Sequence, residues 1–251
     1  MSDGKSGEQV ISDAVLRDTG AARHLTLPIL ERLPGLAHAF TVAGSREESV
    51  LEAVAGRALP LWTLWQVHGR AVLSIDGPGP SPWPDPRPDG DALVTALRGR
   101  AIAIHVADCV PILLCDPDHG VLGAAHAGWR GTVAGVLGAA IAAMVTAGAR
   151  PESIRVAMGP AIGPCCFEVG PEVVAAFRDA DPDADASIRP GARARIDLLD
   201  ANRRQAIAAG VRAERIAAAG LCTVCRPDLL VSYRRSGKGG GRMTGIIAWR
   251  D

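Results

Sequence analysis

Apolar residues along this chain gather in short runs separated by glycine- and proline-rich turns, and the clearest pattern is AIAIHVADCVPILLCDPDHGVLGAAHAGWRGT, Ala101 to Thr132. Two runs, Val110–Leu114 and Val121–Ala125, flank the turn-rich DPDHG and predict a β-hairpin. A hairpin folds its far ends together. Cys109 and His126, at the outer ends, are therefore expected to approach each other where regular strand stops. Beyond AGWRG, apolar positions at Val133, Val136, Leu137, Ala140, Ile141 and Met144 have helical spacing, with Thr132 as the expected N-cap. Arg130 beside that helix start suits an anion.

The same reading extends outward. Residues 1–20 read as a flexible lead, Leu36–Val42 as a strand, and Glu47–Gly56 as a short helix. His38, alone in its strand, reads as a structural histidine. Two apolar runs bracket Gln66–Gly69 and predict a strand pair with His68 at its bend. Gly77–Gly90 is too proline-rich to pair and reads as a surface excursion, after which Asp91–Thr95 resumes as strand. Further on, Ile154–Met158 predicts a strand, Gly159–Gly170 a loop, Pro171–Phe177 a helix, and Asp179–Arg195 a mobile loop. Asp197–Gly210 reads as helix, Ile216–Ala219 as strand, Leu230–Arg234 as a strand ending in two arginines, and Met243–Trp249 as the last strand. Gly237–Arg242 is too glycine-rich for regular structure.

Composition narrows the class. With 251 residues, 48% of them hydrophobic, the chain can bury a large core, and we read residues 21–251 as one domain. Lysine plus arginine balance aspartate plus glutamate at 27 each, so no global charge draws it to nucleic acid or to a membrane surface. The polar start carries no signal-peptide run and no stretch reaches membrane-spanning length, which makes a cytoplasmic location the expectation. Six cysteines in such a chain point to thiols or metal ligands before disulfides.

His68, Cys109 and His126 form a candidate metal set, because two imidazoles and a thiolate suit Zn²⁺ or copper and leave a position open for water. No short ligand pair ties them together, so a metal-free alternative stays open, with Cys109 as nucleophile, His126 as base and Asp108 or a nearby carboxylate orienting the imidazole. Cys222 and Cys225 make a lone CxxC, and adjacent Cys165 and Cys166 are poor chelators. All four are expected to be thiols without a metal. The HxE and PCxxC pattern of nucleobase deaminases is absent, since the chain has HAG and PCC. SYRRSGKGGGR lacks P-loop order, yet its Arg234, Arg235, Lys238 and Arg242 suit a small anion.

With WQVHG, ADCVPILL, AHAGWRGT, GPAIGPCCFEVG and SYRRSGKGGGRM in this order, the chain resembles the laccase-domain family. That family is also described as purine nucleoside phosphorylases and, in bacteria, as polyphenol oxidases or peptidoglycan editing factors. The resemblance implies a mixed α/β fold of layered sheets and helices, similar to Cys–His deamidating toxins. It also implies a metal, usually zinc, on His68, Cys109 and His126. The implied activities are phosphorolysis of purine nucleosides such as adenosine and inosine, adenosine deamination, and copper-dependent phenol oxidation. Arg130, Arg234, Arg235 and Arg242 are then expected to hold the phosphate co-substrate, and Asp108 to orient a ligand or water. The expected partner is a small nucleoside, with no nucleic acid or membrane, and the sequence gives no oligomeric state. The chain departs from the family's HGFSTR at HAFTVAGSREES, where Val42 replaces the arginine. Weakened phosphate binding is expected there, with Arg46 as a substitute cation.

Overall fold

The computed structural model describes residues 7–20, 22–77 and 85–250. The chain begins with an antiparallel hairpin, β1 (Gly7–Ile11) and β2 (Ala14–Asp18), that continues into β3 (Arg23–Thr26), a turn of helix α1 (Pro28–Glu31) and β4 (Leu36–Thr41). The expectation of a flexible lead is thus corrected over these described residues. Ala14 and Leu16 are buried, which anchors the hairpin to the core.

Helix α2 (Glu47–Ala55) is followed by β5 (Leu61–Trp62), β6 (Val72–Ile75), β7 (Ala92–Thr95) and β8 (Ala101–Val106). The predicted hairpin is β9 (Val110–Asp116) and β10 (Val121–Ala127), paired so that His126 faces Pro111 and Ala127 faces Val110. Helices α3 (Trp129–Ala134) and α4 (Val136–Thr146) follow, then β11 (Arg155–Met158) and α5 (Pro171–Ala180). A two-residue hairpin, β12 (Ile188–Arg189) and β13 (Arg195–Ile196), precedes α6 (Leu198–Ala208), β14 (Ile216–Ala218), α7 (Tyr233–Ser236) and β15 (Met243–Trp249).

Apart from the separate β12–β13 pair, these strands make two sheets, of seven in the order β1-β2-β3-β4-β15-β8-β5 and of six in the order β14-β11-β9-β10-β7-β6. Side-chain alternation assigns each strand two jobs. In β8, Ile102, Ile104 and Val106 turn inward to meet Leu113, Leu122 and Ala124 of the facing sheet, while Ala101 and Ala103 turn outward to Val50 and Leu51 of α2. On the far side, Val110, Ile112, Leu114 and Ala125 pack against Leu137, Ala140, Ile141 and Met144 of α4. The layers therefore run helix, sheet, sheet, helices. Central strands are buried on both faces, which is why they read as continuous apolar runs.

Several expected elements take another form. The runs around Gln66–Gly69 are not one strand pair: β5 joins the first sheet and β6 the second, so the segment between them crosses from sheet to sheet. Thr132 is not an N-cap. The helix begins at Gly128, and Thr132 is buried inside it, accepting from Asn202 Nδ2 at 3.0 Å. Gly135, at φ 80°, ends that short helix and starts α4. Leu230–Arg234 is not a strand, because Ser232 caps α7 through the Arg235 N–H. Asp179–Arg195 is structured, carrying the end of α5, a 3-10 turn and the β12–β13 hairpin. Of the proline-rich excursion, residues 78–84 lie outside the described residues.

Candidate active site

His126 closes β10 and Cys109 immediately precedes β9, so the hairpin register brings them to one rim of the second sheet. His68 arrives from the crossing segment. Gln66 fixes that segment by donating to the His105 carbonyl at 2.8 Å and accepting from the His105 N–H at 2.7 Å. One ligand atom from each of His68, Cys109 and His126 lies within 4.8 Å of the others. The two rings meet edge to face with centroids 4.9 Å apart.

Asp91, fully buried at the head of β7, is the group that composition and spacing missed. Its carboxylate accepts from the His68 N–H at 2.9 Å, from the Gly69 N–H at 2.7 Å, and contacts His126 Nδ1 at 2.9 Å. One side chain thus holds both histidines. The clue was the DALVT strand, but only its pairing beside β10, with Ala92 opposite Ala125, shows that Asp91 faces His126. The nearby carboxylate in this role is Asp91, and Asp108 has another. Its carboxylate accepts from Thr223 Oγ1 and, at 2.6 Å, from the Arg234 N–H. Asp108 and His68 hold left-handed backbone, φ 86° and 61°, an arrangement that side chains disfavour and that tends to mark functional positions.

Burial pulls the His126 imidazole down, but hydrogen bonds to Asp91 and Cys109 overcome it and hold its pKa up at about 9. Burial pushes the Cys109 thiol up, and hydrogen bonds to His126 and then His68 bring it down to about 7. Asp91 is held below the usual carboxylate range: burial opposes this, while His126 and the Gly69 N–H favour the charge. Without an ion the chemistry at this rim is a thiolate–imidazolium pair backed by a carboxylate. The donor set equally fits zinc or copper. Gly128 is required beside it, since a Cβ there would stand 2.7 Å from Cys109 Sγ and 3.4 Å from His68 Cδ2.

The arginines divide. Exposed Arg130 lies over the Trp129 ring, 4.4 Å from its centroid. The Arg235 guanidinium donates to the carbonyls of Thr223, Val224 and Leu230, and that of Arg234 to the carbonyls of Cys166 and Glu168. Arg242 is exposed and donates to the Gly241 carbonyl. Val42 is buried between the sheets, and Arg46 sits at the surface 3.9 Å from Glu48. Cys165, Cys166, Cys222 and Cys225, read as thiols without a metal, come together: their sulfurs lie within 4.8 Å of one another. Among the described residues no helix is long and apolar enough to cross a membrane.

Two packed sheets between helical layers, with a His–Cys–His donor set at one rim, define an α/β protein with an open three-donor site. The chain belongs to the family described as multi-copper polyphenol oxidoreductase laccase, whose model matches residues 41–250. It is 38% identical over 219 residues to a purine nucleoside phosphorylase of Xylella fastidiosa (strain 9a5c), covering 86% of this chain and 82% of that protein. It is 46% identical over 160 residues to adenosine deaminase RL5 from an unknown prokaryotic organism, covering 62% and 61%. The crystal structure of YlmD from Geobacillus stearothermophilus is similar with a TM-score of 0.81 at 28% identity, covering 98% of this chain and 99% of that one.

Proposed function

We propose that the protein is a zinc-dependent enzyme of purine nucleosides that cleaves adenosine and inosine with phosphate and also deaminates adenosine. The observation that carries this reading is the three-donor set whose two histidines are held by one buried carboxylate, with His68 exposed. The names of its relatives, a purine nucleoside phosphorylase and an adenosine deaminase, supply the substrate class. When bound, zinc supplies Lewis acidity to a water or substrate oxygen.

The chain's own residues do the rest. Asp91 accepts the His126 Nδ1 proton, which leaves Nε2 for the site and stops the ring from turning. Trp65 and Val67 beside His68, and Tyr233 beside Arg234, are exposed, and they offer apolar surface on which a flat base can stack. As the base leaves, positive charge develops at the sugar, and the attacking phosphate must be held in line with it. Arg130 and Arg242 are the cations for that anion. Arg234 and Arg235 position the loop instead, because their guanidiniums are spent on carbonyls. With Val42 in the core in place of a cation, phosphorolysis is weaker than in a family member that keeps the arginine, while deamination is retained.

Base release and ammonia release from adenosine, measured against phosphate concentration, test the assignment. Arg130→Ala should raise the KM for phosphate about tenfold or more, as expected for one lost charged hydrogen bond, and leave deamination intact. Base release that ignores phosphate sinks the phosphorylase reading.

A second reading rests on the pKa of Cys109 near 7 and the raised His126 beside Asp91: a metal-free Cys–His hydrolase, the arrangement suited to editing peptidoglycan precursors. It predicts activity that survives chelation and falls to iodoacetamide. The zinc reading predicts loss on chelation and recovery on adding zinc. Copper in the same donors would instead give dioxygen consumption with phenols.

A further inference from the structure

We propose that Cys165, Cys166, Cys222 and Cys225 form a second metal site, a zinc tetrathiolate that ties the loop between β11 and α5 to the turn after β14. The argument begins with distance. Cys225 Sγ lies 3.5 Å from Cys166 Sγ and 3.7 Å from Cys165 Sγ, and all four sulfurs fall within 4.8 Å of one another. A tetrahedron with metal–sulfur bonds of ~2.3 Å has edges of about 3.8 Å, so these thiols already stand at ligand spacing. All four cysteines are free, and no disulfide draws them together.

The backbone around them is built for thiolate. The Gly163 N–H points at Cys222 Sγ at 3.3 Å. Ala161 pairs with Cys222 as an isolated bridge, while the Thr223 N–H donates to the Ala161 carbonyl at 3.0 Å. Two segments about sixty residues apart in sequence are thereby held edge to edge with their thiols facing. Gly163 makes room, since a Cβ there would come within 3.2 Å of Cys165 Sγ. Four thiolates around one divalent ion carry a net charge of −2, with four protons released to solvent as the ion binds. Arg235 on the Thr223 and Val224 carbonyls, and Arg234 on the Cys166 carbonyl, place positive charge against that excess.

Closed on all four positions, such an ion holds structure and has no place for substrate. What it holds is the floor of the first site. Thr223, between the two ligands of the CxxC turn, donates to the Asp108 carboxylate, and Asp108 adjoins Cys109. Sequence spacing hides this arrangement, because a zinc ribbon needs two CxxC pairs and here the second pair is an adjacent CysCys that the loop turns to face the first.

The test is the zinc content of full-length protein purified with reductant and without chelator, read by elemental analysis and X-ray absorption. Wild type should carry two ions per chain. His126→Ala should keep one, coordinated by sulfur alone, and the Cys222→Ser/Cys225→Ser double variant should keep one with nitrogen in its shell. Exposed Cys165→Ser provides a second, milder measure: the ion held by its three remaining thiolates should be lost to a chromophoric chelator at more than tenfold lower concentration. One ion per chain that survives in the cysteine variants and vanishes in His126→Ala overturns the proposal and leaves the first site standing. Two disulfides among the four cysteines, found by alkylation of anaerobically prepared protein before reduction, also overturn it.

Discussion

Each sheet of this protein buries a histidine, and the two have opposite chemistry. His38 in β4 and His126 in β10 are equally inaccessible, each with 3% of its surface exposed. His38 Nε2 accepts the Leu27 N–H at 2.9 Å, and burial drives its pKa down to about 3. His126 has Asp91 behind it and Cys109 before it, and it rises to about 9. Burial is common to both. The partner decides the sign: a backbone donor needs a lone pair and keeps the ring neutral, whereas a carboxylate and a thiol reward the proton. Only the second histidine is poised to work beside a charge or an ion.

The sharpest way to break this contrast is to remove what His126 faces. Cys109→Ala should empty the His68–His126 site of metal and reduce nucleoside turnover to background, while zinc at the four-cysteine cluster stays in place; elemental analysis and the adenosine assay read both. Full retention of metal by this variant would refute the donor set. Asp91→Asn comes next. It keeps the size of the side chain, removes the charge that holds His126, and turns one of the two oxygens that accept from the His68 and Gly69 N–H groups into a donor. Metal affinity should fall about 10–100-fold, the usual cost of losing such a partner, as measured by competition with a chelator. An unchanged affinity would mean that the tautomer of His126 is set elsewhere. Gly128→Ala should act through space alone: its Cβ would meet Cys109 Sγ at 2.7 Å, so metal affinity should drop while Tm moves by only a few degrees.

Much of this was legible in the sequence, for reasons that differ by element. The β9–β10 hairpin and its two end residues were readable because a turn between apolar runs fixes pairing locally. His38 was readable as structural for the same local reason. Asp91 was not, since its partner lies 35 residues away and only strand order brings β7 beside β10. The split of β5 and β6 between sheets was hidden too, because an apolar run does not say which sheet it joins. Thr132 misled because a threonine before an apolar helix matches a cap. The buried Asn202 and half-buried Gln205, which bond to its side chain and carbonyl, come from a helix some seventy residues on.

The smallest effect near neutral pH belongs to His38, and it isolates the other half of the contrast. Its folded pKa of about 3 lies below its ordinary value of 6.5, so between those limits the unfolded chain binds a proton that the folded chain refuses. The stability this histidine gives is complete above pH 6.5 and is lost as the pH falls toward 3, at about 1.4 kcal/mol for each pH unit well inside the window. His24, also buried and pulled down chiefly by burial, adds a slope of the same sign. Glutamine at position 38 can still accept the Leu27 N–H through its amide oxygen, yet it does not titrate. Urea unfolding at pH 7 and pH 5 should therefore show His38→Gln slightly less stable than wild type at pH 7 and losing less on acidification. A steep loss unchanged in the variant would place the acid sensitivity in the carboxylates, and the neutral state of His38 would carry no stability.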